Sequence, residues 1–155
     1  MQPVVLDADL LDQEVDAIVN PWNRNLFPWW LLLPQGVSGA IKRRAGLTPF
    51  KELRRYGVIP LGGAVLTSAG RLQHRAIIHV AGIGLLWRAS ASSIQASVRN
   101  AVRLAEREGF RSLAFPLIGA GTGGFRPDEA LRLMMEVLTQ HPFNGETRIV
   151  RYRMR

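Results

Sequence analysis

The chain has 155 residues, 47% of them hydrophobic, which fills one compact core covering both faces of a sheet and leaves too little for two domains. It contains no cysteine, which excludes disulfides, thiolate catalysis and a cysteine-ligated zinc site; His74, His79 and His141 also lack the helical spacing of a metal-binding pair. Eighteen Arg and two Lys against 12 acids give a formal net charge of +8, which either draws phosphate-bearing or polyanionic partners, nucleic acid included, or keeps the surface solvated.

The opening residues, MQPVVLDADL, lack the basic region and long apolar stretch of a signal peptide, and no run is long enough to span a membrane, so a cytoplasmic chain is expected. Val4 to Leu6 and Ala17 to Val19 are short apolar runs that read as buried strands. The stretch from Leu26 to Pro34 is apolar but broken by Pro28 and Pro34, which makes it a loop. Its Trp29 and Trp30, with Trp22, form either a flap over the sheet or an exposed stacking surface. Helical spacing runs from Val37 to Ala45 and from Pro49 to Tyr56, stopped by Gly46 and Gly57.

Ala64 to Thr67 and Ala76 to Val80 supply two more strands. Ser92 or Ser93 then caps a helix whose stripe of Ile94, Val98, Ala101, Val102 and Ala105 faces the core and which ends at Gly109. Leu113 to Leu117 reads as a strand, and Pro127, with Asp128 and Glu129 behind it, opens the last helix. At the end, Val150, Tyr152 and Met154 alternate with Arg151, Arg153 and Arg155, the pattern of a half-exposed strand with a basic outer face. Strands alternating with helices, with no repeat or linker, give an α/β fold in a single domain over residues 1–155.

Between the strand ending at Leu117 and the helix at Pro127 lies a glycine loop, Ile118 to Phe125, which is either a plain tight turn or a set of free amides for an anion near a helix start. It lacks the Gly-Lys-Ser/Thr of a P-loop and follows a late strand, against a triphosphatase or an ordinary dinucleotide fold. Asn20 and Asn23 leave a buried strand three residues apart and either cap the turn or meet sugar hydroxyls. Gly36 to Ile41 forms a second glycine turn into a helix.

Taken together, Ala8-Asp9-Leu10, Val15-Asp-Ala-Ile-Val-Asn20, Asn23, Gly36-Val-Ser-Gly-Ala-Ile41, Ile78-His79 and Phe115-Pro-Leu-Ile-Gly-Ala-Gly-Thr-Gly-Gly-Phe125 resemble the macro domain family over nearly the whole chain. That resemblance implies a three-layer α/β/α domain with a mixed central sheet, no cofactor or metal, and a cleft for ADP-ribose or an ADP-ribosylated macromolecule. It implies that Asp9 and Leu10 meet adenine, that Asn23 holds the distal ribose, and that Asn20 is among the ligand-binding residues. Gly36, Val37 and Ser38 would form one wall around the diphosphate and ribose, and Ile118, Gly119, Ala120, Gly121, Thr122, Gly123, Gly124 and Phe125 would wrap the diphosphate from the other side. The same residues allow an ADP-ribosyl hydrolase.

The chain departs from the family pattern in several places. The common Asn-Ala-Ala-Asn is Asn20-Pro-Trp-Asn23, and Leu33-Pro34-Gln35 stands where glycines precede the first loop. Ser38 replaces an acid that hydrolytic members carry, and Gly123 an aromatic or a partner Asp, so two contributors to water activation and sugar orientation are absent. Lys42 matches a catalytic lysine of one branch, a role that suits it where its pKa is lowered beside Arg43 and Arg44; otherwise it is a solvated lysine on a helix face. His79 reads as a hydrogen-bonded core histidine.

Overall fold

The computed structural model describes residues 2–23, 36–83, 89–120, 124–141 and 143–152. Among these residues, six strands and four α-helices follow in the order β1 Val4–Asp7, β2 Ala17–Asn23, α1 Gly36–Ala45, α2 Thr48–Arg54, β3 Ala64–Thr67, β4 Ala76–Ile83, α3 Ala91–Arg107, β5 Ser112–Phe115, α4 Pro127–Gln140 and β6 Glu146–Arg151, with a 3-10 turn at Leu10–Asp12. The sheet order is β1-β6-β5-β2-β4-β3. All neighbours are parallel except β3 and β4.

A strand in a covered parallel sheet sends alternate side chains into two different cores. From β2 and β4, Ala17, Val19, Ile78 and Val80 meet Ile94, Val98 and Val102 of α3 and Met134 and Val137 of α4. Their neighbours Ile18, Ile77 and Ala81 meet Ile41 of α1 and Phe50 and Leu53 of α2. Two helices on each face make the three-layer α/β/α arrangement with a mixed sheet.

Several boundaries differ from the sequence reading, each for a local reason. β2 and β4 run on to Asn23 and Ile83, past Val19 and Val80, and the register slips by one residue between Pro21 and Asn23, a bulge that accommodates a proline with no N–H to give. The cap of α3 is Ser90, not Ser92 or Ser93: its hydroxyl accepts from the Ser93 amide at 3.0 Å, and Ser93 Oγ accepts from the Ser90 amide at 2.8 Å. β5 ends at Phe115, two residues before the expected Leu117.

The last strand departs most. β6 lies inside the sheet, between β1 and β5, so Ile149 and Val150 are both buried and the alternation does not hold. Tyr152 lies past its end with 72% exposure, and Met154 is outside the described residues. The basic residues here are partly consumed in ion pairs, Arg148 with Glu146 at 2.7 Å and Arg151 with Asp7 at 3.0 Å.

Phe115 is fully buried on β5 within the α3/α4 core. Phe115→Ala is expected to lower the unfolding free energy by about 3–5 kcal/mol in urea titration, and a loss under about 1 kcal/mol would contradict this packing.

Candidate functional site

β2 and β5 lie side by side and parallel, yet the chain leaves β2 toward α1 on one face of the sheet and leaves β5 toward α4 on the other. Where successive connections diverge in this way, a crevice opens beyond the strands' carboxyl ends. The two glycine-containing segments sit at that point. β1 ends at the same edge of the sheet, since β1, β6, β5 and β2 all run in one direction.

The two helix starts beside the crevice differ in charge. The first turn of α1, with Gly36, Val37 and Ser38, contains no acid to offset the positive end of the helix dipole. Arg126 caps α4 without a side-chain hydrogen bond, Pro127 has no N–H, and Asp128 and Glu129 already place negative charge there, paired with Arg126 at 3.2 and 3.3 Å. The α4 start is therefore already supplied with negative charge, whereas the first turn of α1 has none of its own.

The neck of the glycine loop is pinned. The Phe125 amide donates to Gly119 O at 3.1 Å, and Ala120 bridges Phe125. Gly119 and Gly124 both take φ of 87°, in the left-handed region. A Cβ on Gly119 would collide with the Ile94 side chain, whereas one on Gly124 meets nothing within 4 Å. Ile118 is fully buried, its amide 3.4 Å from Met134 Sδ. Gly121, Thr122 and Gly123 lie outside the described residues.

Beneath the α1 start runs a buried polar chain. Ser38 Oγ donates to Asn20 Oδ1 at 2.9 Å, and Asn20 Nδ2 lies 2.9 Å from His79 Nδ1. His79 Nε2 lies 2.8 Å from Thr67 Oγ1, whose hydroxyl donates to Ser68 O at 3.0 Å. Asn20 and His79 are wholly buried. Asn20 thus supports Ser38 from below and has no surface of its own for a ligand, a role the sequence did not disclose. His79 is the hydrogen-bonded core histidine expected of it, and burial pushes its pKa down to about 3.

Phe50 roofs this chain, 6.1 Å from the His79 ring and 5.6 Å from Trp22, which leans over it from β2; Trp29 and Trp30 are outside the described residues. Lys42, one turn after Ser38 on the same face of α1, rests its ammonium 5.2 Å over the Phe50 ring. It is half-buried, and burial lowers its pKa. The neighbouring arginines contribute no resolved effect, and Arg44 is turned to Asp12 at 2.9 Å.

At the β1 exit Asp9 caps the 3-10 turn, its Oδ1 accepting from the Leu11 amide at 2.9 Å, and its side chain remains 42% exposed. Leu10 is buried in the α1/α2 core. The side chain of Asn23 is outside what the structure describes.

The macro domain family model matches residues 19–134. A macro domain-containing protein of Streptomyces griseus is 41% identical over 147 residues, covering 89% of this chain and 80% of that protein. The chain belongs to the macro domain family. An O-acetyl-ADP-ribose deacetylase of Klebsiella pneumoniae is 37% identical over 147 residues, covering 90% of this chain and 80% of the relative. The structure of the Oceanobacillus iheyensis macrodomain with ADP superposes with a TM-score of 0.82 at 26% identity, covering 96% of this chain and 82% of that one. In this macro domain Ser38, at the start of α1, is tied to Asn20.

Two expectations follow. Gly119→Ala should destabilise the fold more than Gly124→Ala in urea unfolding, because both suffer the left-handed strain of about 1–2 kcal/mol but only the former strikes Ile94; equal losses would contradict the packed neck. The second concerns pH. His79 in the unfolded chain takes up a proton near 6.5 and in the folded one near 3, so its contribution is complete above 6.5 and is lost as pH falls through that window. Between them the slope approaches about 1.4 kcal/mol per pH unit, and His79→Gln should flatten the curve relative to wild type.

Proposed function

We propose that this macro domain binds ADP-ribose, free or as the terminal group of a modified macromolecule, in the crevice between the α1 start and the glycine loop. The observation that carries the reading is that β2 and β5, parallel neighbours, lead to opposite faces of the sheet, with a helix start free of acids in its first turn beyond one and a glycine loop beyond the other. In this reading the diphosphate lies between them. β1 and β2 leave the sheet three strand spacings apart, roughly 14 Å, which suits an extended ligand with adenine toward Asp9 and the distal ribose toward Asn23 and Ser38. Support also comes from the relatives: one is named for an ADP-ribose ester, and one structure holds ADP.

Calorimetric titration with ADP-ribose, ADP and AMP tests the reading. Affinity is expected to fall at each truncation, by about tenfold when the distal ribose is removed, and no heat on the order of 1 mM ADP-ribose would sink it.

Hydrolysis is a second reading, favoured by the deacetylase name of the Klebsiella relative and by the lowered pKa of Lys42. In it, water attacks the ester carbonyl of O-acetyl-ADP-ribose, releasing acetate and ADP-ribose. Incubation with that ester and with mono-ADP-ribosylated protein measures turnover. Lys42→Ala is expected to slow it, and a variant as fast as wild type removes the lysine from the mechanism. A nucleic-acid surface has less support, since Arg44, Arg126, Arg132, Arg148 and Arg151 each pair with a carboxylate.

A further inference from the structure

We propose that His79 is a positioning residue for the cleft: through Asn20 it fixes the direction of the Ser38 hydroxyl, so that Ser38 turns only acceptor lone pairs toward a bound sugar. The inference rests on the ADP-ribose reading for its ligand and on the buried chain for its logic.

The direction of every bond follows from one ring. Asn20 Nδ2 is a donor only, so at 2.9 Å from it His79 Nδ1 must be unprotonated. The proton of the neutral imidazole then sits on Nε2 and goes to Thr67 Oγ1 at 2.8 Å, and Thr67 passes its own proton to Ser68 O at 3.0 Å. With the carboxamide nitrogen held by His79, its oxygen faces Ser38, which must donate. The opposite tautomer reverses everything: the carboxamide turns over, Ser38 accepts from nitrogen, and its proton is freed toward the cleft. It also requires Thr67 to donate to Nε2 and give up Ser68 O. Only the first order satisfies all four contacts.

The consequence for the ligand is specific. A serine whose proton is held inward offers a ribose hydroxyl the same hydrogen-bond sense as the carboxylate it replaces, without a negative charge beside the diphosphate. In the proposed pose adenine lies at the β1 exit, and the diphosphate meets backbone amides, not the Ser38 hydroxyl. His79 has no surface of its own, and its hydrogen-bonded route to the sugar runs through Asn20 and Ser38.

The experiment has two arms. Nitrogen-15 NMR of the folded protein is expected to show His79 protonated at Nε2 and bare at Nδ1 throughout pH 5 to 8; a proton on Nδ1 overturns the proposal whatever the protein binds. In the second arm, calorimetry compares ADP-ribose with ADP for wild type, Ser38→Ala, His79→Phe and the double variant, with Thr67→Val replacing His79→Phe should the latter fail to fold. His79→Phe is expected to weaken ADP-ribose binding by about tenfold and ADP binding less than twofold, and to add almost nothing to Ser38→Ala. Equal losses for both ligands, or additive losses in the double variant, mean that His79 supports only the fold and overturn the inference. A wild type that does not bind ADP-ribose at all removes the functional reading instead and leaves the tautomer arm to judge the hydrogen-bond order.

Discussion

Strand β2 has β5 on one edge, β4 on the other, and a helical layer over each face. A strand so enclosed must find partners for every polar atom within the protein, because an unpaired buried donor or acceptor costs about 1–3 kcal/mol. Asn20 sits where this demand is strictest, with neither solvent nor a free edge beside it. Its carboxamide is satisfied by reaching along the sheet to His79 and up to Ser38, and those two contacts tie the centre of the fold to the rim of the cleft. Stability and recognition meet at that side chain.

The rest of the site follows from how the chain leaves this enclosed strand. With α1 on one side of the sheet and α4 on the other, β2 and β5 lead to opposite faces. Glycine enters where the wall must come close to α3: at Gly119 the backbone takes a left-handed turn against Ile94 that no side chain fits. The acids of α4 answer Arg126, whereas the first turn of α1 has none, so the crevice is electrically lopsided. The net charge of +8 adds a weaker, long-range attraction for anions.

The strands and helices were legible because their signals are local. Short apolar runs, glycine stops and the stripe on α3 each declare themselves within a few residues. β6 misled because alternation across Val150, Tyr152 and Met154 mimics an exposed strand, while its neighbours β1 and β5 come from far away in sequence. Ser90 was missed beside Ser92 and Ser93 because three candidate caps within four residues differ only in backbone geometry. In the site, the glycine segments and Asp9 could be named from motifs, but the chain from Ser38 to Thr67 could not. Its partners are 18, 59 and 12 residues apart. The available signal was polarity out of place: Asn20, His79 and Thr67 each stand in an otherwise apolar strand, and three such residues on adjacent strands invite one another.

The two outer strands, β1 and β3, are only four residues long each. A sheet border is a template on which another chain can lay itself down, and its danger grows with its length. Here the ladder left open on either flank is too short to hold a visiting strand firmly, so the sheet presents little invitation to stack side by side with its neighbours in a crowded solution.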